Sequence, residues 1–347
     1  MKIPQYVPFY PPEARRAVAD YALGDGWFSE RSDGPCRQFE RALASYCERE
    51  HCVLFPSGTV ALEMACAYAF VPGSHVAVPA LTHAATASAI VRAGCVPDFR
   101  DVDPVALGMS CPNTRSVLVT FNGRLPSPEA AITGRVRVHD AAQSLGSGNA
   151  TSIGDAVCLS FSPPKVLSTG QGGAILTDYG DAAAELRQLR DFGRTRPGVD
   201  EWEWVGTNAK VSDALATLGL AQMATLPGRV AVKKWIYDQY RQRLEGTQGI
   251  ALVPTDTRYV CPWFVDILVS DGRRNKLENG LAGAGIGTRP CYECLPTSQA
   301  FQEYTCEGQS WPVAERVCQE LLWLPSSLTL TEAEIDYVCT EIRRIMA

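Results

Sequence analysis

His51-Cys52-Val53-Leu54-Phe55-Pro56-Ser57-Gly58-Thr59-Val60-Ala61-Leu62 decides the fold. Five strand-like residues run into a Pro-Ser-Gly turn, and residues 58–69 then have helical apolar spacing. The alternation recurs: residues 75–79 read as a strand and 84–93 as a helix. Residues 96–99, 116–120, 136–140, 156–161 and 174–177 read as further strands. Strands alternating with helices imply a mostly parallel sheet covered on both faces. Ligands in such folds sit at the C-terminal strand ends.

Outward from this pattern, two helices precede it. One covers residues 13–23 and stops at Gly24; the other covers residues 38–46 after a Gly34-Pro35 turn. Beyond it, one long helical region is predicted over residues 212–243. A strand over 263–269 and a helix over 275–284 follow. The last helix, 331–346, opens on a Thr331-Glu332-Ala333-Glu334 capping box. The expected class is α/β. Residues 1–240 form a large domain with an N-terminal helical segment, 1–50, and residues 241–347 a smaller α+β domain.

The chain has 347 residues, beyond the roughly 250–300 at which single cores divide. Its 46% hydrophobic and 20% charged residues are ordinary for a soluble protein. A net charge of −6 argues against nonspecific nucleic-acid binding. No apolar run is long enough for a bilayer, and Met1-Lys2-Ile3-Pro4-Gln5 has no apolar signal core. The expected location is therefore cytoplasmic, with the 13 cysteines as reduced, mostly buried thiols. Cys291-Tyr292-Glu293-Cys294 is a single CxxC in a chain with four histidines, so no metal site is expected.

The chemistry centres on Lys165, in Ser160-Phe161-Ser162-Pro163-Pro164-Lys165-Val166-Leu167-Ser168-Thr169-Gly170-Gln171-Gly172-Gly173. Two prolines fix the approach of this lysine and a glycine-rich turn follows it. A partly buried lysine has its pKa lowered and can attack a carbonyl, the chemistry of a Schiff-base lysine, for which pyridoxal 5′-phosphate (PLP) is the commonest partner. Three other features accompany it. Ser57-Gly58-Thr59-Val60 reads as an anion site at a helix start, or as an ordinary N-cap. Asp140, at a strand end, reads as the partner of a pyridine nitrogen, or as the N-cap before Ala141-Ala142-Gln143. His83, also after a strand, reads as a ring stacker or as a structural histidine.

In that order the residues resemble the sugar aminotransferases of the DegT/DnrJ/EryC/StrS group, PLP enzymes of the aspartate aminotransferase fold (fold type I). The resemblance spans nearly the whole chain. It runs through Gly26-Trp27-Phe28, Ser57-Gly58-Thr59-Val60-Ala61-Leu62, Pro79-Ala80-Leu81-Thr82-His83-Ala84-Ala85-Thr86 and Asp140-Ala141-Ala142-Gln143. It continues through Gly206-Thr207-Asn208-Ala209-Lys210-Val211-Ser212, Gly285-Ile286-Gly287-Thr288-Arg289 and Trp311-Pro312-Val313-Ala314-Glu315-Arg316. The resemblance implies that Lys165 forms the internal aldimine and shuttles the proton, and that Asp140 holds the pyridine nitrogen. It places His83 on the ring, Gln143 at the phenolic oxygen, and Thr59, the Val60 backbone and Ser160 at the phosphate. It implies that Asn208 reaches that phosphate from the partner subunit of a homodimer. The implied reaction is ping-pong transamination from L-glutamate or L-glutamine to a keto sugar, typically nucleotide-linked, or to a keto-cyclitol.

The sequence departs from the family pattern where substrate is read. Gln171 replaces a glutamate, Lys210 an arginine and Cys291 a histidine; a histidine is missing at Phe121-Asn122-Gly123, and the segment after Gln143 is short. These changes suggest an unusual acceptor, as in antibiotic or other secondary metabolism. The competing reading is a PLP-fold regulator or structural subunit without turnover. A nicotinamide dehydrogenase is excluded, because Phe55-Pro56-Ser57-Gly58-Thr59 lacks the required glycine spacing.

Overall fold

The computed structural model describes residues 2–24, 28–30, 33–109, 115–124, 138–148, 150–196 and 198–347. Gly26-Trp27 of the opening block and Val136-Arg137 of the expected strand lie outside them. Helices α1 (Pro12–Leu23) and α2 (Pro35–Tyr46) come first, each with proline in the first turn, where an N–H has no partner to lose.

The larger sheet contains β1 (His51–Phe55), β2 (His75–Pro79), β3 (Val96–Arg100), β4 (Val117–Val119), β5 (Val138–Asp140), β6 (Ala156–Ser160) and β7 (Gly173–Thr177). Five of these run in the order β1-β7-β6-β5-β4, and the parallel pair β2-β3 joins through an Ala77–Ser116 bridge. β4, β5 and β6 are parallel, whereas β7 is antiparallel to both β1 and β6. The helices α3 (Gly58–Ala69), α4 (Ala84–Arg92) and α5 (Gly180–Arg190) lie between the strands in sequence. Val53 and Phe55 of β1 enter one buried cluster, Cys52 and Leu54 another. Both faces are covered, which is why the strand is a continuous apolar run. Where β7 meets α3 the backbones nearly touch: a Cβ on Gly173 would fall 2.5 Å from the Gly58 amide nitrogen. Only glycine allows that approach.

The single helix expected over 212–243 is two, α6 (Asp213–Met223) and α7 (Leu226–Leu244). Pro227 in the first turn of α7 lacks the N–H that would continue the ladder. Leu226 and Val230 pack in the large-sheet cluster, while Ile236, Tyr237, Tyr240 and Leu244 pack in that of a second sheet. α7 thus carries the chain across residue 240 from one core to the other.

The second sheet is antiparallel, in the order β10 (Arg289–Pro290), β11 (Leu321–Leu324), β9 (Val265–Val269), β8 (Ile250–Leu252). It packs with α8 (Arg274–Gly283), α9 (Pro312–Glu320) and α10 (Glu332–Met346). The expected capping box opens α10, with Thr331 and Glu334 bonded reciprocally. α5, α9, β8, β10 and β11 are additions to the sequence reading; their strands have only two to four residues, too few to show a period. Ten of the twelve described cysteines are buried, and all twelve are free thiols.

A polar staple joins the two sheets. After β4 the chain turns at Asn122, whose φ of 54° is left-handed, a conformation asparagine tolerates. Its side-chain Nδ2 donates to the Phe264 carbonyl (2.9 Å), and the Phe264 amide donates to its Oδ1 (2.8 Å). Two residues on, Arg124 grips buried Asp266 of β9 with both nitrogens, at 2.7 and 2.6 Å. Removing one partner of a buried pair leaves an uncompensated charge. Arg124→Ala and Asp266→Ala should each lower the unfolding free energy by about 3–5 kcal/mol in urea titrations. Arg258→Ala, which loses only exposed contacts with Asp256 and the Tyr259 ring, should leave the midpoint unchanged. Equal midpoints for all three variants would remove the staple from the account.

Candidate active site

A cavity of ≈ 270 Å³ opens at the strand ends, between the two sheets. Of the residues expected from sequence, Gly58, Thr59, His83, Asp140, Gln143, Ser160 and Lys165 line it. Val60 lies just behind: its amide donates to Ser57 Oγ (3.2 Å), the N-cap of α3. Ser57 is thus an ordinary N-cap, and Thr59, Ser160 and Ser162 line the cavity beside the same helix start. Asn208 does not line the cavity of its own chain. It is exposed and forms an antiparallel backbone bridge with Asp191.

Lys165 lies on the return between β6 and β7, which the antiparallel pairing keeps tight. Thr169 N donates to Phe161 O and Phe161 N to Gly172 O, at 2.9 and 2.8 Å. Trp263 Nε1 donates to Pro164 O (2.9 Å) from the second sheet's side. The indole ring then lies 4.0 Å below Lys165 Nζ. Burial pushes the Lys165 pKa down to about 7; Asp140 opposes the shift and the Arg289 charge adds to it. The amine is thus substantially neutral at physiological pH, the form that attacks carbonyls.

Asp140 ends β5 and is buried. Thr86 Oγ1 donates to its Oδ2 (2.7 Å) and the Ala142 amide to its Oδ1 (3.0 Å). No helix follows Asp140: residues 141–144 form a turn that it braces through the Ala142 amide, so the N-cap expectation is corrected, and the carboxylate lines the cavity. His83 caps α4, with Nδ1 accepting from the Ala85 amide (3.1 Å). That leaves the proton on Nε2. Burial lowers its pKa, and nearby Lys165 and Arg289 lower it further against Asp140. Its ring meets Tyr292 edge-on at 5.3 Å. Gln143 receives the Asn122 amide on Oε1 (2.6 Å) and donates through Nε2 to the Tyr292 hydroxyl (3.2 Å). The inter-sheet turn therefore also aims this side chain.

Sequence reasoning passed over Trp263, Arg289 and Tyr292 as site residues. All three come from beyond residue 240 and reach the cavity only because the second sheet packs there. The signals available were the block ending at Arg289, the departure at Cys291 next to Tyr292, and the aromatic pair Trp263-Phe264, which core packing explains equally well. Gln171, noted only as a departure, lines the cavity as well.

The sequence profile of the DegT/DnrJ/EryC1/StrS aminotransferase family matches residues 12–120 and 130–343. The chain is 28% identical to the GDP-perosamine synthase of Caulobacter vibrioides, with 89% of each chain covered. It is 30% identical to the dTDP-3-amino-3,4,6-trideoxy-alpha-D-glucose transaminase of Streptomyces venezuelae, covering 83% of this chain and 80% of that one. The crystal structure of the aminotransferase TlmJ from Streptoalloteichus hindustanus superposes with a TM-score of 0.88 at 25% identity, over 99% of this chain and 98% of its own.

The lowered pKa of Lys165 gives a direct test. Below about 7 the amine is a protonated, non-nucleophilic ammonium, and above it is neutral. When the apoprotein is mixed with PLP and reduced with borohydride, the initial rate of labelling at Lys165 should rise with pH and be half-maximal near pH 7. Peptide mass spectrometry reads the site. A rate still climbing at pH 10, as for a solvated lysine, would contradict the desolvated environment.

Proposed function

The chain belongs to the DegT/DnrJ/EryC1/StrS aminotransferase family and is a PLP-dependent aminotransferase, and we propose that it moves an amino group from L-glutamate or L-glutamine to a nucleotide-linked keto sugar by ping-pong transamination. The observation that carries this reading is one desolvated lysine facing a buried carboxylate across a cavity with a hydroxyl-lined helix start at its other end. Relatives named for GDP- and dTDP-sugar chemistry support the substrate class.

The residues fit the cofactor. A Cβ on Gly58 would fall 2.8 Å from Ser160 Cβ, so only glycine lets the start of α3 pack this closely on β6, where the first amides of the helix would meet a phosphate. Thr59, Ser160 and Ser162 would add hydroxyls there. Asp140 would hold the pyridine nitrogen, His83 would lie against the ring, and Gln143 would face the phenolic oxygen. When bound, PLP supplies an electron sink for charge developing on the donor's Cα. The chain's own work is positioning and proton transfer. Lys165 Nζ, its pKa lowered to about 7, takes the proton from Cα. Trp263 keeps water from that amine. The Thr86 and Ala142 hydrogen bonds hold Asp140 in place.

We also propose a cytoplasmic homodimer with shared sites. Phe192, Trp202, Trp204 and Val205 are exposed around Asn208, an apolar patch suited to a second copy. Through that contact Asn208 would approach the partner's phosphate site. No helix among the described residues is long and apolar enough to cross a membrane.

L-Glutamate or L-glutamine should bleach the visible band of the holoenzyme, and a panel of nucleotide-linked keto sugars should restore it with amine formation. Lys165→Ala should lower turnover roughly 10²–10⁴-fold. A bound cofactor that no amino donor converts would favour the regulatory or structural reading. In analytical ultracentrifugation the wild type should sediment as a dimer, and Trp202→Asp with Val205→Asp as a monomer. A fully active wild-type monomer would overturn the shared site.

A further inference from the structure

The segment Cys291-Tyr292-Glu293-Cys294 gives the lysine cavity only Tyr292. Its two thiols line a second cavity, of ≈ 410 Å³, which shares Tyr292 with the first. A third thiol, Cys318, lines it too, with Arg274 and Glu315. Separate elements bring the three together. Cys291 extends β10, its amide donating to the Leu321 carbonyl of β11 (3.1 Å). Cys318 sits in the last turn of α9, where its carbonyl accepts from Arg274 Nη1 (2.7 Å). Cys294 precedes a 3₁₀ turn over Leu295–Thr297.

Cys318 hydrogen-bonds to both of the other thiols. The bond with Cys291 raises the Cys318 pKa, and the bond with Cys294 lowers it. A hydrogen bond received by a sulfur favours its thiolate, and one given disfavours it. Cys318 therefore donates to Cys291 and accepts from Cys294, so the row of donors ends on the Cys291 sulfur. Access differs in the same order. Cys294 and Cys318 are buried, whereas Cys291 is half-buried and is the thiol that a small solute entering the cavity meets. Among the described residues no group of three or more His, Cys, Asp or Glu is arranged to hold a metal ion. The chemistry this arrangement offers is between the thiols themselves.

We propose that Cys291 and Cys318 form a reversible dithiol–disulfide site oxidised by hydrogen peroxide. The site is separate from the aminotransferase reading and does not rest on it. The Cys291 thiolate attacks one peroxide oxygen: an S–O bond forms, the O–O bond breaks, and the departing hydroxide takes up the proton that Cys291 released. Cys291 is now a sulfenic acid. The Cys318 sulfur attacks it, the S–S bond forms, the S–O bond breaks, and hydroxide leaves with the Cys318 proton as a second water. Two electrons have passed from the two thiols to the peroxide. A thiol reductant reverses the step by exchange and becomes the disulfide. Transient bridges of this kind are the ones a reducing cytoplasm allows. Cys294, bonded to Cys318 alone, holds the resolving thiol in place.

To test this, the full-length protein is reduced, freed of reductant and treated with hydrogen peroxide, and tandem mass spectrometry without reduction locates any bridge. Cys291 and Cys318 should be recovered joined, and dithiothreitol should restore both thiols. Cys318→Ser should form no bridge and should accumulate at Cys291 a sulfenic acid that dimedone labels. Cys294→Ser, which keeps the attacking and resolving thiols, should still form the bridge. Exposed Cys306 is the internal reference for a solvated thiol. Three results would each overturn the proposal: oxidation of Cys306 while Cys291 stays reduced, a bridge from Cys318 to Cys294 with Cys291 unmodified, or wild-type Cys291 driven to sulfinic acid with no bridge. The thermal midpoint of each variant verifies that it has folded.

Discussion

The pairing of the 121–124 turn with residues 264–266 lets two separate sheets enclose one cavity. Arg124 and Asp266 meet with both hydrogen bonds made and almost no solvent contact. Asn122 saturates the Phe264 backbone in both directions. Buried charges are tolerated only with such complete pairing. The geometry propagates from there. Phe264 follows Trp263, whose indole is the floor under Lys165. Asn122's own amide holds Gln143, which in turn holds Tyr292.

A second polar network organises the opposite side of the large sheet. Glu40 of α2 is buried; burial alone would raise its pKa, but Arg190, Arg37, Arg187 and the Leu54 amide together pull it down. It therefore stays ionised and ties α2 and α5 to β1. Around the cavity the logic is reversed. There burial outweighs the charge of Asp140 and pulls the Lys165 pKa down to about 7.

Much of the site was legible in the sequence for a local reason. Ser57-Gly58-Thr59, His83, Asp140 and Lys165 each follow a strand, and in an α/β sheet covered on both faces the strand ends converge on one edge. Helix stops such as Gly24 and the capping box at Thr331 also act over a few residues. The split of residues 212–243 at Pro227 was visible as a proline but was overridden by a long apolar period. The antiparallel direction of β7 has no sequence signature, because Ala174-Ile175-Leu176-Thr177 reads the same in either orientation.

The sequence by itself determined which segments alternate, the order of the cavity residues along the large sheet, and the resemblance that assigns the family. Those are properties of short periods and of motifs held together by the chain. Only the tertiary structure decided the lysine's chemistry and the substrate side of the cavity. Desolvation of Lys165 depends on Trp263, nearly a hundred residues away, and Arg289 and Tyr292 reach the cavity only from the second sheet. Dielectric and ion pairing are set by the distances between atoms in space, and neither can be read from neighbours along the chain.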